Sequence, residues 1–415
     1  MKTLPVYCGK RLVAALEQSS AGLYALTYDD AWLRDGFDVS VNLPRKQKRH
    51  EGDAVRIFFE NMLPEGAIRE ALARQYGVSR QNVFGLLARI GRDCAGAFSL
   101  GEPQREGDYR LVSPAKLKEL LESLPANPMA TRQRGTSLSL AGAQDKLPLL
   151  VKDGAFYLPV YGAASNCIVK LPLRDFPHSV DNEHFCMHLA RAAGLPAAPT
   201  DIHHLPGMDV LVVARYDREG ADFHPQRLAQ EDFCQLAGVS SELKYESDGG
   251  PAFADCAALI RRHSMQAGRD LLLLMRWAAF NLCIGNNDAH AKNISMLRNG
   301  SKLMLAPFYD LISTTFYGHR LPRKLAMKIG GNSKSYYVSR NRWERFAEDV
   351  TLPPATVLKG VADMANAILA ATPRAEESAL AAGTPPAVAA KLRHHIDSRA
   401  QSVISQLSPA KRKSS

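Results

Sequence analysis

No two cysteines in this 415-residue chain stand in a Cys-x-x-Cys arrangement. The seven present (Cys8, Cys94, Cys167, Cys186, Cys234, Cys256 and Cys283) are scattered through apolar contexts. Their odd number and wide spacing exclude a zinc ribbon and a disulfide framework, and point to reduced, buried thiols in the cytoplasm. No apolar run is long enough to span a bilayer, and the opening MKTLPVYCGKRLV has no signal-peptide core, so no membrane partner is expected. Internal repeats are absent. So is any helix-turn-helix suited to independent, sequence-specific DNA binding.

What the chain does have is length for two or three domains and an ordinary hydrophobic fraction of 46%. Lysine and arginine number 52 against 42 acidic residues, a net charge of +10, which favours anionic partners including nucleic acid. The basic segments are Arg45–His50, Arg261–His263 and Lys411–Lys413; each also reads as a solvated face. The pattern is α+β. Residues 1–100 read as a small mixed domain, with Asp38–Asn42 the clearest strand and helices near Ala54–Asn61 and Ala67–Tyr76. Residues 101–136 read as a connector around one helix, Ser113–Leu124. Candidate nucleotide strands occupy 137–266, helices dominate 267–405, and 406–415 read as a disordered basic tail.

The most informative motif is Asp288-Ala-His290-Ala291-Lys292-Asn293, followed by Tyr309-Asp310-Leu311. Phosphoryl transfer from ATP needs one carboxylate to take the acceptor's proton, plus an amide oxygen and a second carboxylate to hold Mg²⁺. Asn299-Gly300 between two strand-like runs predicts a hairpin that returns Asp310 to the side of Asn293. The apolar stretch Asp270–Ile284 predicts a buried helix, ended by Gly285, that delivers this loop. Taken alone the spacing also occurs by chance, in caps and turns.

Upstream, Lys170 sits inside the β-branched run Cys167–Leu171, where a buried ammonium needs an anionic partner such as phosphate or Glu183. The other reading places Lys170 on the wet face of an edge strand. Ser137-Leu-Ser139-Leu-Ala141-Gly142-Ala143-Gln144-Asp145-Lys146 precedes a hairpin turning at Lys152-Asp153-Gly154. Its small residues permit backbone N–H groups to approach phosphate oxygens, although only one is glycine. Asp209–Tyr216 reads as a buried strand ending in Asp217-Arg218, which either faces an adenine and ribose or is simply a core strand with a polar end.

In this order the motifs resemble the HipA family, the kinase toxins of bacterial toxin–antitoxin pairs. The matching blocks are Phe58–Gly66, Gly91–Ala97, Ser139–Lys146, Ile168–Pro172, Asn182-Glu183, Arg215–Arg218, Asp288–Asn293 and Tyr309–Leu311. The resemblance implies a two-lobed protein-kinase-like fold with an additional N-terminal α/β subdomain and a mostly helical C-terminal lobe. It implies an ATP- and Mg²⁺-dependent serine/threonine kinase with Asp288 as catalytic base and Asn293 and Asp310 as metal ligands. Lys170 and His290 then lie by the phosphates, Ala141–Lys146 form the phosphate loop, and Ala214, Arg215 and Tyr216 form the adenine strand end. Ser139 falls at the family's inhibitory autophosphorylation site, with Ser137 two residues away. Ala214 stands where the family usually has glutamate, and Asp145 replaces the commoner glutamate.

The implied partners are a protein substrate, a small HipB-like DNA-binding antitoxin, and operator DNA through that complex. Growth arrest would follow from phosphorylating a translation component such as an aminoacyl-tRNA synthetase. Two other readings stay open: a kinase-like co-repressor scaffold, and a small-molecule phosphotransferase.

Overall fold

The computed structural model describes residues 1–102, 107–124, 144–220, 222–300, 302–321 and 323–408. They gather into two compact units. The first comprises Met1–Leu171, His203–Glu242 and Met296–Ser301, and the second Pro172–Ile202, Leu243–Ser295 and Lys302–Ser415.

In the first unit, β1 (Lys2–Cys8), β2 (Arg11–Gln18), β3 (Tyr24–Tyr28), β4 (Arg49–Glu51) and β5 (Phe98–Leu100) make an antiparallel sheet. Its strand order is β4-β3-β2-β1-β5. Leu4 and Val6 on β1 and Leu16 on β2 point inward at alternate positions, the period of two that a half-buried sheet requires. They meet Phe58 and Phe59 of the Asp53–Glu60 helix and Leu86 and Leu87 of the Val83–Ile90 helix in one core.

Asp38–Asn42 is not a strand. Its backbone and side chains are taken up by a turn, with a single bridge between Ser40 and Leu43. The Ser40 hydroxyl and the Val41 N–H both donate to Glu231, and the Asn42 amide caps the carbonyls of Gln235 and Leu236. Alternating polarity here serves an interlock, not a sheet.

The second sheet contains β6 (Asp108–Val112), β7 (Lys146–Lys152), β8 (Ala155–Val160), β9 (Cys167–Lys170), β10 (Thr200–Leu205) and β11 (Met208–Ala214). The order is β10-β11-β9-β7-β8-β6, so β9 is an interior strand and not an edge. Asp153 and Gly154 turn β7 into β8 with both residues left-handed (φ 51° and 75°), the geometry that matches strand twist in a two-residue hairpin. A helix, Pro114–Ser123, covers this sheet through Leu117, Leu120 and Leu121.

The second unit is chiefly helical. The Pro354–Ala381 helix packs on Ser179–Ala192, Ala267–Ile284 and Pro386–Gln406. Among the described residues no helix is long and apolar enough to cross a membrane. Trp277, Phe280 and Ile284 of the Ala267–Ile284 helix are fully buried, as its apolar circumference requires. The helix ends at Gly285 in the left-handed region (φ 74°). A Cβ at Gly285 would fall 1.9 Å from Thr315 Oγ1 and 2.7 Å from Arg399 Nε, so both φ and space demand glycine.

Candidate active site

The loop after Gly285 is strapped on both sides. The Asn286 amide donates to Asn281 Oδ1 (2.8 Å), while its Oδ1 accepts the Asp288 N–H (3.0 Å). Thr314 Oγ1 accepts the Asn287 N–H (2.8 Å) and donates to the Gly285 carbonyl (2.9 Å). From the strand Lys324–Ile329, the Ala326 N–H donates to the Asn287 carbonyl (2.8 Å). Within this buried loop Asp288 alone between Asn281 and Met296 is exposed. A rigid, hydrogen-bonded frame thus presents one carboxylate to solvent.

Asp288 and Asn293 share a single turn. The Asp288 carbonyl accepts both the His290 N–H (2.9 Å) and the Asn293 side-chain amide (3.1 Å). Ala291–Asn293 form a 3₁₀ turn in which Ala291 and Lys292 are buried. Because the Asn293 nitrogen is committed inward, its side-chain oxygen is the end left to meet a cation.

The chain then returns. Strands Ser295–Asn299 and Lys302–Leu305 flank a left-handed Gly300 (φ 59°), and the Ala306 N–H donates back to the Ser295 carbonyl (2.9 Å). Tyr309 locks the closure: its hydroxyl donates to the Lys292 carbonyl (2.7 Å) and lies 2.7 Å from Ser295 Oγ. Asp310 follows in the left-handed region (φ 58°), a conformation that costs a non-glycine residue about 1 kcal/mol and recurs at functional sites. Asn286 also approaches the Asp310 carbonyl (3.5 Å). The structure therefore brings Asp288, Asn293 and Asp310 together. One amide oxygen and one carboxylate are a hard-oxygen donor set, which suits Mg²⁺ completed by water and phosphate.

Two residues to which the sequence assigned no role complete this region. The Tyr245 hydroxyl donates to Asp288 Oδ1 (2.9 Å), and its ring stands edge-on to His290 at 5.3 Å. Asn182 accepts the Ser313 N–H (2.9 Å) and donates to the Ser313 carbonyl (3.0 Å), clamping the segment after Asp310. Asn182 stood in a recognised motif but without a role, and no spacing rule marks Tyr245.

In the first unit, Ser137, Ser139, Ala141, Gly142 and Ala143 lie outside the described residues. The end of their loop is seen: the Gln144 amide donates to the Leu171 carbonyl (2.8 Å), and the Leu171 N–H donates to the Asp145 carbonyl (3.2 Å). Lys146 on β7 is the register partner of Lys170 on β9, and Lys170 is buried. Two cations held opposite one another on a sheet repel unless anions lie between or beside them. Glu183, buried on the Ser179–Ala192 helix, belongs to the second unit.

Of the two readings open for the end of β11, a ribose contact for Asp217 or a core strand with a polar end, the first meets a carboxylate already bonded within the protein. Arg215 donates to both oxygens of Asp217 (2.9 and 2.7 Å), to Ser165 Oγ (2.9 Å) and to the Cys94 carbonyl (2.9 Å). Asp217 also accepts the Gly96 N–H (2.7 Å). Arg218 and Arg227 reach Asp93 Oδ1 at 3.0 and 3.2 Å. These side chains are buried, so each charge must be paired internally. Burial would raise the Asp217 carboxyl, but Arg215 and Arg218 hold it far below the usual carboxylate range. Arg218 is pushed down to about 10 by burial and by the neighbouring Arg215. The cluster fastens the Gly91–Ala97 motif to the strand end. Ala214 pairs with Cys167 across the sheet, the Arg215 N–H donates to the Asn166 carbonyl (2.9 Å), and the Tyr216 hydroxyl is held by Gln230.

Comparison with known proteins gives consistent results. A model of the HipA N-terminal domain matches residues 4–101, and one of the HipA-like C-terminal domain matches residues 138–372. A putative kinase of Sinorhizobium fredii (Y4mE) is 39% identical over 389 residues, covering 91% of this chain and 92% of that protein. The serine/threonine-protein kinase toxin HipA of Shewanella oneidensis is 29% identical over 385 residues, covering 88% of this chain and 87% of its own length. A chain in the solved complex of Shewanella oneidensis HipA, HipB and its operator DNA superposes with a TM-score of 0.86 at 26% identity, over 98% of both chains.

Proposed function

This chain belongs to the HipA family, and we propose that it is an ATP- and Mg²⁺-dependent serine/threonine protein kinase with Asp288 as its base. The observation that carries the reading is the closed loop in which Asn293 bonds the Asp288 backbone while Tyr309 ties Asp310 beside Lys292. In the step proposed, an acceptor hydroxyl oxygen bonds to the γ-phosphorus as the bond to ADP breaks, and Asp288 takes the hydroxyl proton. Asn293 and Asp310 would hold Mg²⁺, which would neutralise phosphate charge. Lys170 and Lys146, with the loop Ala141–Asp145, would hold the phosphates, beside His290. The backbone at Ala214–Tyr216 would meet the adenine.

The proposed acceptor is a serine or threonine of another protein, whose modification arrests growth, and Ser139 or Ser137 of the chain itself, whose modification shuts the enzyme off. Adding nearly two negative charges beside the triphosphate loop would repel it. A small DNA-binding antitoxin is the proposed partner, supported by the complex in which the Shewanella relative was solved and by the +10 net charge.

The test is intact-mass spectrometry of phosphatase-treated protein incubated with ATP and Mg²⁺, beside Asp288→Asn. A phosphate-sized gain in the unmutated chain that Asp288→Asn lacks is expected. Equal gain in both, or none in either, refutes the reading.

A further inference from the structure

Resting on the kinase reading, we infer that Tyr245 is a positioning residue for Asp288, fixing the carboxylate in the orientation that receives an acceptor hydroxyl. An exposed aspartate on a loop ordinarily samples several rotamers. Here Oδ1 is held by the Tyr245 hydroxyl at 2.9 Å. The tyrosine is half-buried, so water could satisfy its hydroxyl, and burial alone does not demand this bond.

The tyrosine is itself aimed by two constraints. Its ring meets the buried His290 edge-on, with an interplanar angle of 82°. Its backbone sits in a closed turn, where the Tyr245 carbonyl accepts the N–H groups of Asp248 (3.0 Å) and Gly250 (2.9 Å). A Cβ at Gly250 would fall 2.1 Å from the Leu243 carbonyl oxygen, so only glycine closes that turn.

Both sides of the Tyr245–Asp288 contact are then measured off one strand. Along Lys324–Ile329, the Ala326 N–H holds the Asn287 carbonyl (2.8 Å), and the Lys328 N–H holds Glu246 Oε2 (2.5 Å). Lys328 Nζ adds a second hold on Glu246 Oε1 (3.2 Å). Residues two apart on a strand present their N–H groups on the same edge, roughly 7 Å apart. The residue before the base and the residue after the tyrosine are therefore spaced by a common rigid element. A fortuitous contact between two loops would have no such shared support.

The experiment measures single-turnover transfer of the γ-phosphoryl group of ATP to the full-length chain, after phosphatase treatment and over a series of ATP concentrations. Tyr245→Phe keeps the ring against His290 and removes only the hydroxyl. The maximal rate is expected to fall roughly tenfold to a hundredfold, as for loss of a hydrogen bond to a charged group. The half-saturating ATP concentration and the melting temperature should not move. A normal maximal rate in Tyr245→Phe beside an inactive Asp288→Asn overturns this inference and leaves the kinase reading standing. An active Asp288→Asn, or an unmutated chain that takes up no phosphate, overturns both. If Tyr245→Phe melts early and alters both kinetic constants together, the tyrosine is structural only and the inference fails.

Discussion

Replacing Asp93 by asparagine should unsettle the first unit more than any surface charge change. In the native cluster, two carboxylates (Asp93 and Asp217) face three guanidiniums (Arg215, Arg218 and Arg227) with side chains at most 8% exposed. Asp93→Asn keeps the shape and the acceptor for Ser165. It leaves Arg218 and Arg227, at 3.0 and 3.2 Å, without the carboxylate they share. Breaking a buried ion pair from one side costs about 3–5 kcal/mol, because the remaining charge has no solvent. For a unit of about 200 residues each kcal/mol lowers the melting temperature by about 2–4 °C, so a drop on the order of 10 °C is expected. Asp363→Asn is the control: its pair with Lys359 is a helical neighbour contact with side chains 60% and 77% exposed, worth about 0.5 kcal/mol or less. Differential scanning calorimetry on both variants reads the difference. A shift in Asp93→Asn no larger than in Asp363→Asn refutes the argument. Burial would raise the Asp93 carboxyl, yet Arg227, Arg215 and Arg218 hold it below its ordinary value. Its contribution is therefore full above about pH 4 and drains as pH falls further. The asparagine variant should show a correspondingly flatter acid limb.

Other expectations follow from single sites. Gly285→Ala forces a side chain into a left-handed position against Thr315 and Arg399, and should cost at least about 2 kcal/mol in urea unfolding; an unchanged midpoint would contradict the cap geometry. Burial raises the Glu231 carboxyl from 4.5 to about 7 despite its bonds to Ser40 and Val41. Stability tied to Glu231 is thus present below about pH 4.5 and lost as pH rises through about 7. Glu231→Gln should therefore gain relative to the unmutated chain between pH 5 and pH 8, by on the order of 2–3 kcal/mol; parallel stability curves would show that the carboxyl stays charged when buried.

Local contacts were the legible part. Asp288, Asn293 and Asp310 lie within one short stretch, and Asn299-Gly300 announces the turn that folds it. The helix that carries the loop was readable from its apolar circumference, and its end from Gly285. Lys170 was placed on a strand, but whether that strand was interior or edge depended on partners that local pattern does not name; β7 and β11 decided it. Asp38–Asn42 alternates like a strand, and was claimed instead by a buried glutamate nearly two hundred residues later in the chain.

Sequence alone marked out the elements whose partners are close in the chain: the delivery helix, its glycine cap, the return hairpin and the clustering of Asp288, Asn293 and Asp310 within one short stretch. Only the tertiary structure decided that Tyr245 steadies Asp288, that Asn182 clamps Ser313, and that Arg215 and Asp217 spend their charges on one another and on the Gly91–Ala97 segment. Periodicity and turn chemistry act over a few residues and leave a visible pattern. A charge or hydroxyl answers to whatever folding places within about 3 Å of it, whether that group is two residues away or more than a hundred, and hydrophobic period and turn chemistry do not record the choice.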